Sequence, residues 1–94
     1  MKIHRLKTLA PYWDRVYTGE KTFEIRKNDR DFQVGDVLEL ERIETEKVPI
    51  NSFVPNAILK ADVKYVLCGG QYGLEIGYCI MAIQLRDEYK MYQQ

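Results

Sequence analysis

Apolar and polar residues alternate along much of this chain with a period of two, the signature of strands that bury one face. Residues 2–7, KIHRLK, alternate imperfectly around Ile3 and Leu6, which predicts a short strand near a sheet edge. Leu9, Trp13, Val16 and Tyr17 then recur at spacings of three and four, the apolar stripe of a helix over residues 9–18. Thr8 as a hydroxyl N-cap and Pro11 in the first turn would start it, and Gly19 would close it.

A second strand is predicted over residues 21–26, with Phe23 and Ile25 on one face and Thr22, Glu24 and Arg26 on the other. Asn28 to Asp31 is turn chemistry, after which Phe32 and Val34 should dock the loop. Residues 37–43 read as a half-exposed antiparallel strand with Leu38 and Leu40 inward and Glu39 and Glu41 outward. Residues 44–58 hold two prolines and no sustained period, so a long loop is expected, with a helical turn near Phe53. In residues 61–68, Ala61, Val63, Tyr65 and Leu67 share a face. Gly69, Gly70 and Gly73 break the chain into a loop before the last strand, residues 77–85. That strand is apolar on both faces, which suits a central or helix-covered position.

Five or six short, mostly antiparallel strands with one helix inserted after the first predict a mainly β, α+β fold: a small closed or partly open barrel. With 94 residues there is room for a single domain, its core over about residues 2–85 and a polar, fraying tail over 86–94. Hydrophobic residues make up 46% and charged residues 30%, an ordinary globular balance.

Fourteen basic and fourteen acidic residues give a formal net charge of zero. Proteins that grip long duplexes by phosphate neutralisation carry a basic excess, so any nucleic-acid role here is confined to a small pocket or stripe. The longest apolar run, Cys79 to Ile83, is far short of the roughly 20 residues of a membrane span. The basic opening segment lacks the apolar region of a signal peptide, and the reading is a cytoplasmic protein. Cys68 and Cys79 are expected as reduced, buried small hydrophobes. One histidine and separated cysteines offer no metal site, and no cofactor is implied.

The strongest chemical feature is the charge around residues 19–36, GEKTFEIRKNDRDFQVGD. Thr22, Glu24 and Arg26 lie on one strand face at steps of about 6.6 to 6.8 Å. A carboxylate and a guanidinium so placed can pair, and arginine offers a planar fork to a phosphate or base edge. Such a pair on a solvated face would contribute only about 0 to 1 kcal/mol. Turned inward under the helix, the same groups would floor a polar pocket.

Gly19, Lys21, Glu24 and Arg26 spell GxKxxExR, which resembles the motif of the ASCH domains, relatives of the PUA-like RNA-binding barrels. The continuation RKNDRDFQVGD, the opening HRLK and the GG-YGLEIGY segment are similar to a bacterial and phage-associated branch of that superfamily. The resemblance spans roughly residues 3–85 and implies a barrel with a helix beside a cleft that recognises single-stranded RNA or a modified nucleotide. Carried over by position, Lys21, Glu24 and Arg26 would line the cleft. Lys21 and Arg26 would bind phosphate or a base edge, while Glu24 would orient Arg26 and accept from a base amine.

His4, from the HxLK pattern, and Tyr72, between glycines, are candidate contacts from the cleft wall, with Tyr12 and Tyr17 as further aromatics. Lys27, Asn28 and Arg30 would stand at the rim. Another branch of the superfamily hydrolyses the acetyl amide of N4-acetylcytidine with a lysine, a threonine nucleophile and a glutamate. Lys21 matches that lysine, but Glu24 stands where the nucleophile belongs, leaving Thr22 and Glu75 as substitutes. A protein-interaction module, able to dimerise through an exposed barrel edge, is a third reading.

Overall fold

The computed structural model describes residues 1–44 and 57–90. The expected loop over 44–58, with its turn near Phe53, therefore lies almost wholly outside the described residues. Five strands, β1 (Ile3–Leu9), β2 (Phe23–Lys27), β3 (Val37–Ile43), β4 (Ile58–Cys68) and β5 (Tyr78–Leu85), form one sheet in the order β1-β3-β4-β5-β2. The helix α1 (Ala10–Tyr17) links the two edge strands, and a short helix α2 (Asp87–Lys90) stands where the sequence suggested a fraying tail. β1 runs parallel to β3, and the other pairings are antiparallel.

Four inter-strand steps of about 4.8 Å would place the edges of a flat sheet about 19 Å apart. Yet Arg26 Nη2, on edge strand β2, donates to Lys7 O on edge strand β1 at 3.2 Å. The sheet is curled far enough for an arginine side chain to bridge its edges, giving an open half-barrel with a seam between β1 and β2. Its interior packs Leu6, Leu38, Leu40, Leu59, Ala61, Val63, Met81 and Ile83.

α1 contributes Trp13 and Val16 to that core, as their spacing predicts, and Trp13 Nε1 donates to Leu40 O at 2.8 Å. Tyr17 stacks on Trp13 with ring centroids 5.6 Å apart. Gly19 follows the helix at φ 86, the left-handed conformation expected of it. Thr8, however, does not cap the helix: the N-cap is Leu9, without a side-chain cap bond, and Thr8 is a buried strand residue.

Two side chains and one strand face turn out differently from the expected pattern. Tyr65 is exposed because a register shift between Val63 and Tyr65 rotates the rest of β4, bringing Val66 toward the core instead. Phe32 docks the β2–β3 loop in the core, whereas Val34 remains in solvent. β5 is interior to the sheet as predicted, but only one face, Cys79, Met81, Ile83 and Leu85, is buried.

Cys68 and Cys79 stand opposite each other on β4 and β5, both free; Cys79 is buried but Cys68 is exposed, contrary to expectation. Burial and the neighbouring Cys68 push the Cys79 thiol above its ordinary range. Titration of the native protein with an aromatic disulfide reagent should therefore modify Cys68 rapidly and Cys79 only after unfolding. Equal rates at both thiols would contradict this packing.

Candidate functional site

Strand register determines what the seam must satisfy. Ile83 N bonds to Thr22 O at 3.0 Å and Asn28 N to Gly77 O at 2.8 Å, so the even-numbered residues of β2 spend their main-chain groups on β5. Phe23, Ile25 and Lys27 then turn theirs toward the seam. On β1, Val37 N bonds to Lys2 O at 2.9 Å, so even positions serve β3 and the carbonyls of Arg5 and Lys7 face the seam.

Three cations donate to three of these seam-facing carbonyls. Lys21 Nζ donates to Phe23 O at 2.6 Å, Arg26 Nη2 to Lys7 O at 3.2 Å, and Arg30 Nη1 to Arg5 O at 3.3 Å. Arg26 Nη2 also donates to Thr8 Oγ1 at 3.0 Å, which is the hydroxyl's role in place of helix capping.

Glu24 ties two of these cations together. Its side chain points inward and is 3% exposed, with Oε1 accepting from Lys21 Nζ at 2.6 Å and Oε2 from Arg26 Nε at 3.1 Å. The faces of β2 are thus reversed relative to hydrophobic expectation: Phe23 is 43% and Ile25 50% exposed, while the ionic face turns in. A carboxylate can occupy that position because both oxygens are paired. In this geometry Glu24 orients Lys21 and Arg26, with neither oxygen left unbonded.

Above the trio opens a cleft of about 730 Å³ between β2, the end of β1 and the start of α1. Lys7, Arg15, Lys21 and Arg26 line it with Glu20 and Glu24, an excess of two positive charges on a chain whose formal net charge is zero. Tyr12, Leu9, Phe23 and Ile25 supply apolar and aromatic wall, and Lys21 Nζ sits 4.9 Å from the Phe23 ring centroid. The uncapped first turn of α1 borders the same space and adds partial positive charge.

Of the candidates, the cleft gathers Lys21, Glu24, Arg26 and Tyr12 but not the others. His4 is buried, its Nε2 2.8 Å from Asp36 Oδ2 and its ring edge-on to Phe32 at 4.7 Å. Lys27 is exposed at the end of β2, and Asn28 Oδ1 accepts from Phe32 N at 3.1 Å, capping the turn. Thr22 and Glu75 are exposed and do not line the cleft, and Tyr72, 90% exposed, caps the β4–β5 hairpin elsewhere. Tyr12 is the aromatic that reaches the site. Sequence reasoning passed over Lys7 and Leu9, which the curl of the sheet brings together with β2, and Arg15, which the turn after α1 sets beside Lys21, its carbonyl accepting from Lys21 N at 2.9 Å.

A family model described as "Domain of unknown function (DUF3850)" matches residues 3–83. The chain belongs to this DUF3850 family. The matched span runs from the first residue of β1 into β5 and so contains every seam residue described above. The chain is also similar to the "Uncharacterized 12.9 kDa protein in GpA 3'region" of Escherichia phage P2, being 49% identical over 37 residues. That alignment covers 39% of this chain and 34% of the phage protein, so the chain spans about a third of that relative's length.

His4 and Asp36 generate a stability prediction for this DUF3850 chain. Burial would raise the Asp36 pKa, but bonds from His4 and from the Lys2 and Gln33 amides outweigh it and lower the value from 3.8 to about 2. Because the folded value is depressed, the stabilisation is present above the unfolded pKa and vanishes as pH falls through the folded one. Asp36→Asn should lose about 2 kcal/mol of this linkage at neutral pH, with the wild-type advantage shrinking between about pH 4 and pH 2. Urea unfolding of both proteins across that range checks it; a constant difference would contradict the assignment.

Proposed function

We propose that this chain is a binding module for single-stranded RNA or a nucleotide, of the ASCH and PUA-like type that its GxKxxExR segment resembles. The observation that carries the reading is the buried Glu24, which holds Lys21 and Arg26 fixed at the floor of an open cleft. Both cations keep donors to spare: one N–H of Lys21 Nζ and the Nη1 amine of Arg26 have no partner among the described residues. Donors prepositioned by a buried anion suit a phosphate, since little side-chain freedom remains to be lost on binding.

The remaining wall suits the rest of a nucleotide. Tyr12 can stack on a base, and the cleft volume lies within the 300 to 1,000 Å³ usual for small-ligand sites. Unstacked bases enter such a pocket from a single strand far more readily than from a duplex. Binding is favoured over hydrolysis of an N4-acylated cytidine because Thr22 and Glu75 stand outside the cleft, and the threonine that lines it, Thr8, is held by Arg26.

Fluorescence anisotropy of labelled single-stranded RNA and matched DNA, titrated with protein over a salt series, tests the proposal. Wild type should bind RNA saturably, with a log–log salt slope of about −0.7 to −1.4, the value for one or two phosphates. Arg26→Ala and Lys21→Met, each verified as folded by circular dichroism, should weaken binding at least about tenfold. Absence of binding by folded wild type at low salt would refute it.

A further inference from the structure

Of the seam-facing main-chain groups of β2, the Phe23 carbonyl is taken by Lys21, but Ile25 has no such partner among the described residues. Its register with Ile80 directs both its N–H and its C=O away from β5, and β2 is the outer strand of the sheet. Ile25 also lines the cleft, together with the Lys21 and Arg26 side chains. A donor and an acceptor therefore sit side by side on a rigid strand edge, in an apolar-walled cleft whose floor is cationic.

We infer that the Ile25 main chain is a base-reading element: its N–H and C=O pair with the adjacent acceptor and donor on the edge of a nucleobase whose phosphate lies against Lys21 and Arg26. This rests on the nucleotide reading above and specifies what part of the nucleotide is recognised. All four bases offer an acceptor next to a donor on the Watson–Crick edge, so the contact demands an unblocked edge. Selection among bases is left to the Tyr12 and Leu9 walls.

The same two main-chain groups would also suit an added peptide strand, the usual fate of an exposed sheet edge. The seam disfavours that occupant. Arg26 and Arg30 already cross it to the Lys7 and Arg5 carbonyls, so a strand running along β2 would have to break both contacts. A single planar base entering beside Ile25 breaks neither.

The test is an amide-resolved NMR titration of isotopically labelled protein with uridine and adenosine 5′-monophosphates. Their edge-blocked N3-methyluridine and N6,N6-dimethyladenosine counterparts, ribose 5-phosphate, and a capped hexapeptide of alternating valine and threonine complete the series. The expected result is a saturable shift of the Ile25 amide with the unblocked nucleotides and none with ribose 5-phosphate. The blocked analogues should bind about tenfold more weakly, the loss for one or two buried hydrogen bonds.

If nucleotides bind but the Ile25 amide does not move, or blocked and unblocked forms bind alike, the inference is overturned while the nucleotide reading stands. If no nucleotide binds, both fall. A shift of Ile25 by the peptide and by no nucleotide would assign the edge to strand addition and overturn the inference.

Discussion

Everything distinctive about this barrel follows from a seam that strands do not close. β1 and β2 are neighbours in sequence but opposite edges of the sheet, and curling brings them close without pairing them. Carbonyls on both edges are left without strand partners, and Lys21, Arg26 and Arg30 donate to three of them from the charged segment following α1. The density of charge in GEKTFEIRKNDRD is thus the chemistry of capping an open edge. The same cations, once positioned, floor the cleft.

Glu24 is the counterpart that makes this arrangement tolerable. Removing a carboxylate from water costs several kcal/mol, and two charge-assisted bonds roughly offset that cost, so the trio is weak evidence for stability. It is better understood as positioning: a buried anion holds two cations of different reach in fixed places beside a cavity. A net-neutral chain thereby presents a locally positive cleft.

Much of the architecture was legible in the chain itself. The edge position of β1, the Trp13 and Val16 stripe, the stop at Gly19 and the inward Leu38 and Leu40 all follow from periodicity and turn chemistry. The face of β2 was not, because a period of two separates two faces without saying which is inside. Apolar-in is the default, and here buried pairing of Glu24 overrides it. The register shift after Val63 was equally invisible, since one irregular residue leaves the apolar pattern intact while rotating Tyr65 outward. Lys7 and Leu9 were missed as site residues because long-range curl brings them to β2, and Arg15 because its place depends on the turn after α1. Tyr72 looked the best stacking residue from its flexible neighbours, yet it lies on a hairpin that does not border the cleft.

The central claim, an open seam with β2 as its free edge, is most directly tested by native-state hydrogen exchange resolved along residues 23–27. Alternation is expected: the Glu24 and Arg26 amides, committed to β5, exchange slowly, while those of Phe23, Ile25 and Lys27 exchange fast. Uniformly slow exchange across all five would mean that the seam is closed by strand pairing, and would contradict it.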